Sequence, residues 1–136
     1  MAMPLGHLGL NVASLARAKA FYDVVMPMVE FEPFFSTETE FSYRPAGGKV
    51  GTWLFFYGAL EEGAHSRHQP GLQHLAFMVR TRAAVHEVFD TARRLGAVAV
   101  HEPREFPEYH EGYYAAFVQD PEGFMVEFVC HREDPS

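Results

Sequence analysis

The stretch Leu72-Gln73-His74-Leu75-Ala76-Phe77-Met78-Val79 decides the fold, because the chain holds a second version of it, Leu5-Gly6-His7-Leu8-Gly9-Leu10-Asn11-Val12. A shift of 67 positions lays His7 on His74, Leu8 on Leu75 and Val12 on Val79, and further on it lays Tyr22-Asp23 on Phe89-Asp90. Repeats decide architecture before any local reading does, and two copies are too few for a solenoid. The pattern describes a duplicated module with one histidine per copy.

Working outward from the first copy, residues 5–12 alternate with the two-residue period of a strand. Leu8, Leu10 and Val12 point to one side, under a helix, and His7, Gly9 and Asn11 to the other. Ser14 suits an N-cap, and Leu15, Ala18, Phe21 or Tyr22, and Val25 follow helical spacing to about Met26, where Pro27 should end the helix. Three short apolar, aromatic runs follow at residues 30–35, 40–44 and 50–57, separated by the turn chemistry of Ser36-Thr37-Glu38 and Pro45-Ala46-Gly47-Gly48. The first module therefore reads strand, helix, strand, strand, strand.

Residues 58–71 carry Gly and Pro without periodicity and read as a linker, or as a loop over a site; His65 and His68 lie there as exposed loop histidines. The second module opens with a strand at 72–79. Thr81 caps a helix whose apolar positions Val85, Val88, Phe89, Ala92 and Leu95 step by three and four, with Arg93, Arg94 and then Gly96 at its C-terminal end. Strands are expected at 97–101, stopped by Pro103, then at 113–119 and 124–130 after a loop at 102–112 and a turn at Asp120-Pro121-Glu122-Gly123. The tail 131–136 reads as polar and frayed. The order is again strand, helix, strand, strand, strand. The whole is one α+β domain over residues 1–136, with module one at about 5–57 and module two at about 72–130.

Bulk properties narrow the function. At 136 residues the chain is long enough for a real core. A formal charge of −7 argues against nucleic acid as a partner, since phosphates call for basic patches. No apolar run approaches the roughly 20 residues that span a bilayer, and no secretory signal pattern is visible. The single cysteine, Cys130, excludes an intrachain disulfide framework and fits a cytoplasmic location. Thirteen Phe, six Tyr and one Trp suggest an apolar pocket or a dimer surface.

Three polar residues stand out against this background. Glu127 interrupts the apolar run Phe124-Met125-Val126-Glu127-Phe128-Val129-Cys130, where a carboxylate is costly unless something pairs with it. His7 and His74 occupy equivalent places in the repeat. All three read as mid-strand and as facing away from the helix side. Two imidazoles and a carboxylate, if they converge, suit a divalent ion such as iron, manganese, nickel or zinc.

These residues carry a resemblance. His7-Leu8-Gly9-Leu10-Asn11-Val12 before an Ala-rich helix ending Phe21-Tyr22-Asp23, Gly71-Leu72-Gln73-His74-Leu75-Ala76-Phe77 in mid-chain, and Asp120-Pro121-Glu122-Gly123-Phe124-Met125-Val126-Glu127 near the end together resemble the vicinal oxygen chelate superfamily. That superfamily contains glyoxalase I, bleomycin-binding proteins, fosfomycin-modifying enzymes and extradiol dioxygenases. The resemblance implies a glyoxalase-like fold, two βαβββ modules forming an open, barrel-like mixed sheet, with His7, His74 and Glu127 as metal ligands. It also implies a small-molecule substrate and a homodimer.

Two departures bear on the reaction. Matching Gly51 to Gly123 puts Phe55, with Trp53 and Tyr57 on its face, where glyoxalase I enzymes have a fourth ligand. Gly9 stands where the fosfomycin enzymes carry a hydroxyl residue. The resulting expectation is a divalent-metal-dependent lyase or isomerase acting on a small oxygenated molecule through two adjacent oxygens. The metal would be Zn, Ni, Mn or Fe. Trp53, Phe55 and Tyr109 are expected to line the pocket, and His110 or Tyr113 to transfer a proton. An Fe(II) extradiol-type dioxygenase is the second reading, and a metal-free protein that sequesters a drug-like ligand is the third.

Overall fold

The computed structural model describes residues 3–133, so the last part of the tail read as frayed, residues 134–136, lies outside the described residues. The chain divides after Ala64 into two compact units. The first runs β1 (His7–Val12), α1 (Leu15–Met28), β2 (Phe31–Ser36), β3 (Glu40–Pro45) and β4 (Trp53–Gly58). The second repeats the order with β5 (Leu75–Met78), α2 (Arg82–Arg94), β6 (Val98–Glu105), β7 (Tyr114–Gln119) and β8 (Met125–Cys130). Each unit is a four-stranded mixed sheet with one helix, ordered β1-β4-β3-β2 and β5-β8-β7-β6, and neither sheet closes on itself. This is the α+β duplication that the sequence implies.

The repeat extends to register. In the first unit β1 runs parallel to β4 with Leu8 opposite Leu54 and Gly9 opposite Phe55. In the second β5 runs parallel to β8 with Leu75 opposite Val126 and Ala76 opposite Glu127. Phe55 and Glu127 thus hold equivalent positions, as the alignment of Gly51 with Gly123 requires.

The helices form for the reasons the sequence suggests. Ser14 Oγ accepts from the Arg17 amide at 3.1 Å and Thr81 Oγ1 accepts from the Ala84 amide at 3.0 Å, each satisfying one of the amides left open at a helix start. The buried stripe of α1 is Ala18, Phe21, Tyr22, Val25 and Met26. Its Tyr22 ring lies 4.7 Å from Phe56 of β4, which stacks on Phe41 of β3 at 4.9 Å. The buried stripe of α2 is Val85, Val88, Phe89 and Ala92. After α2, Gly96 turns the chain at φ 102°; the equivalent residue after α1 is Glu30, which takes a left-handed φ of 66°.

Several boundaries differ from the reading above, among them the start of β4, which lies at Trp53 rather than Val50. Helix α1 carries Pro27 inside its last turn and ends at Met28. Strand β6 passes through Pro103 to Glu105; it is the edge strand of its sheet, and Pro103 falls in the irregular stretch between His101 and Arg104, the kind of place where a strand accommodates proline. Strand β5 starts at Leu75, which puts His74 just before the strand, and His7 is the first residue of β1; only Glu127 sits in mid-strand.

Tyr43 ties β3 to α1. Its hydroxyl donates to Asp23 Oδ1 at 2.8 Å, while Lys19 Nζ holds Asp23 Oδ2 at 2.6 Å. Burial above all, and then the hydrogen bond and negative charge of Asp23, push the Tyr43 phenol far above its ordinary range. A pKa raised on folding gives stability that is complete below the unfolded value, about 10, and that is lost as pH rises through the folded value. Denaturant midpoints should therefore fall above about pH 10. Tyr43→Phe should lower neutral-pH stability by about 1 kcal/mol and flatten part of that alkaline fall.

Candidate functional site

The second sheet places its polar centre by strand alternation. On β8, Val126 and Phe128 point to one face, and Met125, Glu127 and Val129 to the other. Met125 and Val129 join Phe106, Ala115 and Phe117 in one buried cluster, with Val100 and Tyr113 packed against it. The loop between β6 and β7 is closed by the Phe106 amide on the Tyr113 carbonyl at 2.8 Å, and by the Tyr109 and Tyr113 amides on the Phe106 and His110 carbonyls. This folds Tyr109 and Tyr113 over the cluster, where Tyr109 stacks on Phe106 at 5.8 Å. The result is a cavity of about 350 Å³. Its polar lining is Gln73, His74, His101, Tyr109, Tyr113 and Glu127, on an apolar base that includes Phe106, Phe117 and Met125.

Glu127 is 2% exposed and accepts a short hydrogen bond from the Tyr113 hydroxyl on Oε2. Burial, then that hydrogen bond and the carboxylate charge, raise the Tyr113 phenol far above its usual value, so Tyr113 is a proton holder rather than an acid at neutral pH. The other oxygen, Oε1, lies 3.2 Å from His74 Nε2. The remaining nitrogen of His74, Nδ1, is bonded to the side-chain carbonyl oxygen of Gln73. An acceptor there puts the ring proton on Nδ1, so Nε2 of the neutral imidazole presents a lone pair. Two lone pairs then face each other, and a positive charge between them, a proton or a metal ion, is what makes the arrangement favourable.

The pair fits a metal ion. Nitrogen and oxygen ligands at about 2.0–2.2 Å from one ion, subtending angles between a right angle and the tetrahedral value, lie about 3.0–3.5 Å apart. The observed 3.2 Å falls in that range. Each donor also has the outer partner that fixes metal ligands, Gln73 for His74 and Tyr113 for Glu127. Among the described residues no three His, Cys, Asp or Glu side chains gather as a metal cluster. The second unit by itself supplies two donors.

His7 lies in the first unit, at the edge of an aromatic sheet face. Its ring meets Phe55 edge-on at 5.3 Å, and Phe55 stacks on Tyr57 at 6.4 Å. Trp53 is met by Phe34 at 4.9 Å, and the Arg44 guanidinium lies 5.1 Å from the Phe34 ring. A Cβ at Gly9 would come within 3.0 Å of the Tyr57 ring, which explains the glycine. Trp53 and Phe55 are half-buried on this face.

His110 does not line the cavity of the second unit. Its Nδ1 is bonded to the Glu111 carbonyl at 2.8 Å and its Nε2 to His131 Nδ1 at 3.2 Å. The residues that sequence reasoning passed over are Gln73, His101, Phe106, Phe117 and Met125. Only alternation from Glu127 could have pointed to Met125. His65 is partly buried against Phe124 at 4.5 Å, and Arg67 of the same segment donates to Gln119 at 2.8 Å, so the stretch read as a linker is bound to the second unit.

The sequence matches the family model described as Glyoxalase/Bleomycin resistance protein/Dioxygenase superfamily over residues 5–128. A search of curated proteins returned no match. Among solved structures, a glyoxalase-type protein of Bacillus halodurans is 26% identical with a TM-score of 0.76, the match covering 93% of this chain and 94% of that one. A glyoxalase/bleomycin resistance protein of Albidiferax ferrireducens is 17% identical with a TM-score of 0.77, covering 93% and 98%. A lactoylglutathione lyase of Agrobacterium tumefaciens is 20% identical with a TM-score of 0.66, covering 94% and 93%. No helix among the described residues is long and apolar enough to cross a membrane.

If the Tyr113 hydroxyl holds the buried carboxylate, Tyr113→Phe should lower stability by about 1–3 kcal/mol, the usual cost of stranding a buried polar group. Tyr109→Phe, on a ring that is 61% exposed, should stay within about 0.5 kcal/mol of wild type. Urea denaturation of the two variants side by side checks the contrast.

Proposed function

Since the chain belongs to the Glyoxalase/Bleomycin resistance protein/Dioxygenase superfamily, we propose that it is a divalent-metal-dependent lyase or isomerase. It would hold a small oxygenated substrate through two adjacent oxygens. The observation that carries this reading is the facing pair His74 Nε2 and Glu127 Oε1, 3.2 Å apart, with Glu127 buried. The reaction class draws support from the lactoylglutathione lyase among the fold's relatives.

Each residue has a task in this account. Glu127 and His74 bind the ion, and His7, the repeat equivalent of His74, is the third ligand. Tyr113 orients the carboxylate so that Oε1 is the free oxygen, and Gln73 sets the tautomer of His74. Phe106, Phe117 and Met125 keep water from the inner wall of the cavity. Trp53 and Phe55 provide further apolar surface for the substrate. When bound, the ion supplies Lewis-acid stabilisation of negative charge developing on the substrate oxygens.

Elemental mass spectrometry of untagged protein tests the reading. Wild type reconstituted with a divalent metal should carry about one ion per chain, and His74→Ala and Glu127→Gln should lose it while staying folded. His7→Ala should lose it too. Copurifying iron would redirect the assignment to oxygen chemistry. An empty, folded wild type after reconstitution would leave a ligand-binding protein instead.

A further inference from the structure

His101 is aimed into the cavity by the irregularity of its own strand. Continued regularly from Val98 opposite Gln119 and Ala99 opposite Val118, the pairing would set Val100 opposite Phe117. Instead His101 pairs with Phe117, so β6 carries one extra residue there, and another before Arg104 pairs with Ala115. Bulges of this kind re-aim side chains and are enriched beside active sites. Val100 keeps its packing on the Phe106–Phe117 cluster, so the bulge adds an imidazole to the cavity without removing an apolar contact.

Phe117 pairs in turn with Glu127 on β8. Directly opposed residues project from one face of a sheet, so His101, Phe117 and Glu127 form a row across three neighbouring strands. Two inter-strand spacings, about 9.5 Å, separate the ends of the row. His101 meets Phe117 edge-on at 5.4 Å and Phe106 at 5.9 Å, while the His74 ring lies 5.7 Å from Phe117. Phe117 is thus an apolar floor with the His74–Glu127 pair at one end and a second imidazole at the other.

The neighbouring histidines of this unit are engaged elsewhere. Both nitrogens of His110 are hydrogen-bonded, and His86 Nε2 is bonded to the Tyr114 hydroxyl at 2.7 Å. Among the described residues, the His101 ring makes aromatic contacts with Phe106 and Phe117 and no side-chain hydrogen bond. An imidazole is the side chain best able both to take and to return a proton near neutral pH.

We infer that His101 is the proton-transfer residue of this site, an inference that rests on the metal-dependent reading above. The substrate is then a small molecule presenting two adjacent oxygens to the His74–Glu127 end and an acidic C–H or O–H bond to the imidazole. The neutral ring takes that proton, and the electron pair of the broken bond stays on the substrate, delocalised toward its oxygen-bearing end. The imidazolium returns the proton to a different atom in an isomerisation, or to the leaving group in an elimination. No oxidant or reductant is consumed.

The titratable and charged groups facing His101 are His74, Tyr109, Tyr113 and Glu127 on the cavity side and Arg93, Glu102 and Arg104 on the other. All are unchanged in His101→Gln, and because His101 is solvent-exposed the substitution leaves the core intact. The test uses zinc-loaded protein with 4-nitrocatechol, a probe with adjacent hydroxyls whose visible spectrum separates its anions. In wild type the bound probe should reach its dianion at a pH lower by about one unit or more than in His101→Gln, because only wild type offers the proton acceptor. His110→Gln should titrate as wild type does. Identical titrations of wild type and His101→Gln, with equal zinc uptake, would overturn the inference while leaving the metal reading standing. A wild type that takes up no zinc would overturn both.

Discussion

A carboxylate enclosed in apolar side chains must have its oxygens engaged, and the second unit is arranged around meeting that demand for Glu127. The loop between β6 and β7 closes on itself through three backbone hydrogen bonds, bringing the Tyr113 hydroxyl to one carboxylate oxygen. The segment before β5 brings His74 to the other. Removing the Tyr113 hydroxyl strands a buried carboxylate oxygen, a cost of about 1–3 kcal/mol, and the oxygen that faces His74 is the one left for a cation. The same requirement explains why the loop holds its tyrosines against Phe106 and why a cavity remains above Phe117. Packing, hydrogen bonding and chemistry meet at one side chain.

The duplication shows what that side chain adds. Both units share element order, the parallel pairing of first and last strands, and the register that places Phe55 where Glu127 stands. With Phe55 the position recruits rings: His7, Phe35 and Tyr57 gather around it, and Gly9 leaves room for Tyr57. With Glu127 it recruits a phenol and an imidazole. One scaffold has yielded an apolar wall in one unit and a polar, carboxylate-centred face in the other, a divergence achieved without changing the backbone plan.

Much of this was legible in the sequence for physical reasons. Alternation in Leu8-Gly9-Leu10-Asn11-Val12, the caps Ser14 and Thr81, and Gly96 after α2 are local signals, and the repeat carried them into topology. Glu127 was conspicuous because an apolar strand does not tolerate a carboxylate by chance. His101 was not visible, because alternation alone would have turned it toward the helix side, and only two bulges in β6 redirect it. Pro103 misled for a related reason: an edge strand tolerates a proline that a central one would not. Gln73 and the Tyr113–Glu127 bond depend on side-chain geometry, on which residue spacing is silent. His110 looked suited to proton transfer by type and neighbourhood, yet its nitrogens are held by Glu111 and His131.

The central claim is that a cation belongs between His74 Nε2 and Glu127 Oε1. It is tested most directly by following the imidazole nitrogens of His74 by ¹⁵N NMR as zinc is added to the folded protein. The account predicts that Nδ1 stays protonated, bonded to Gln73, while the Nε2 resonance moves to a metal-bound position and saturates at about one equivalent of zinc. An Nε2 resonance that zinc leaves unmoved, in protein that remains folded, would contradict it.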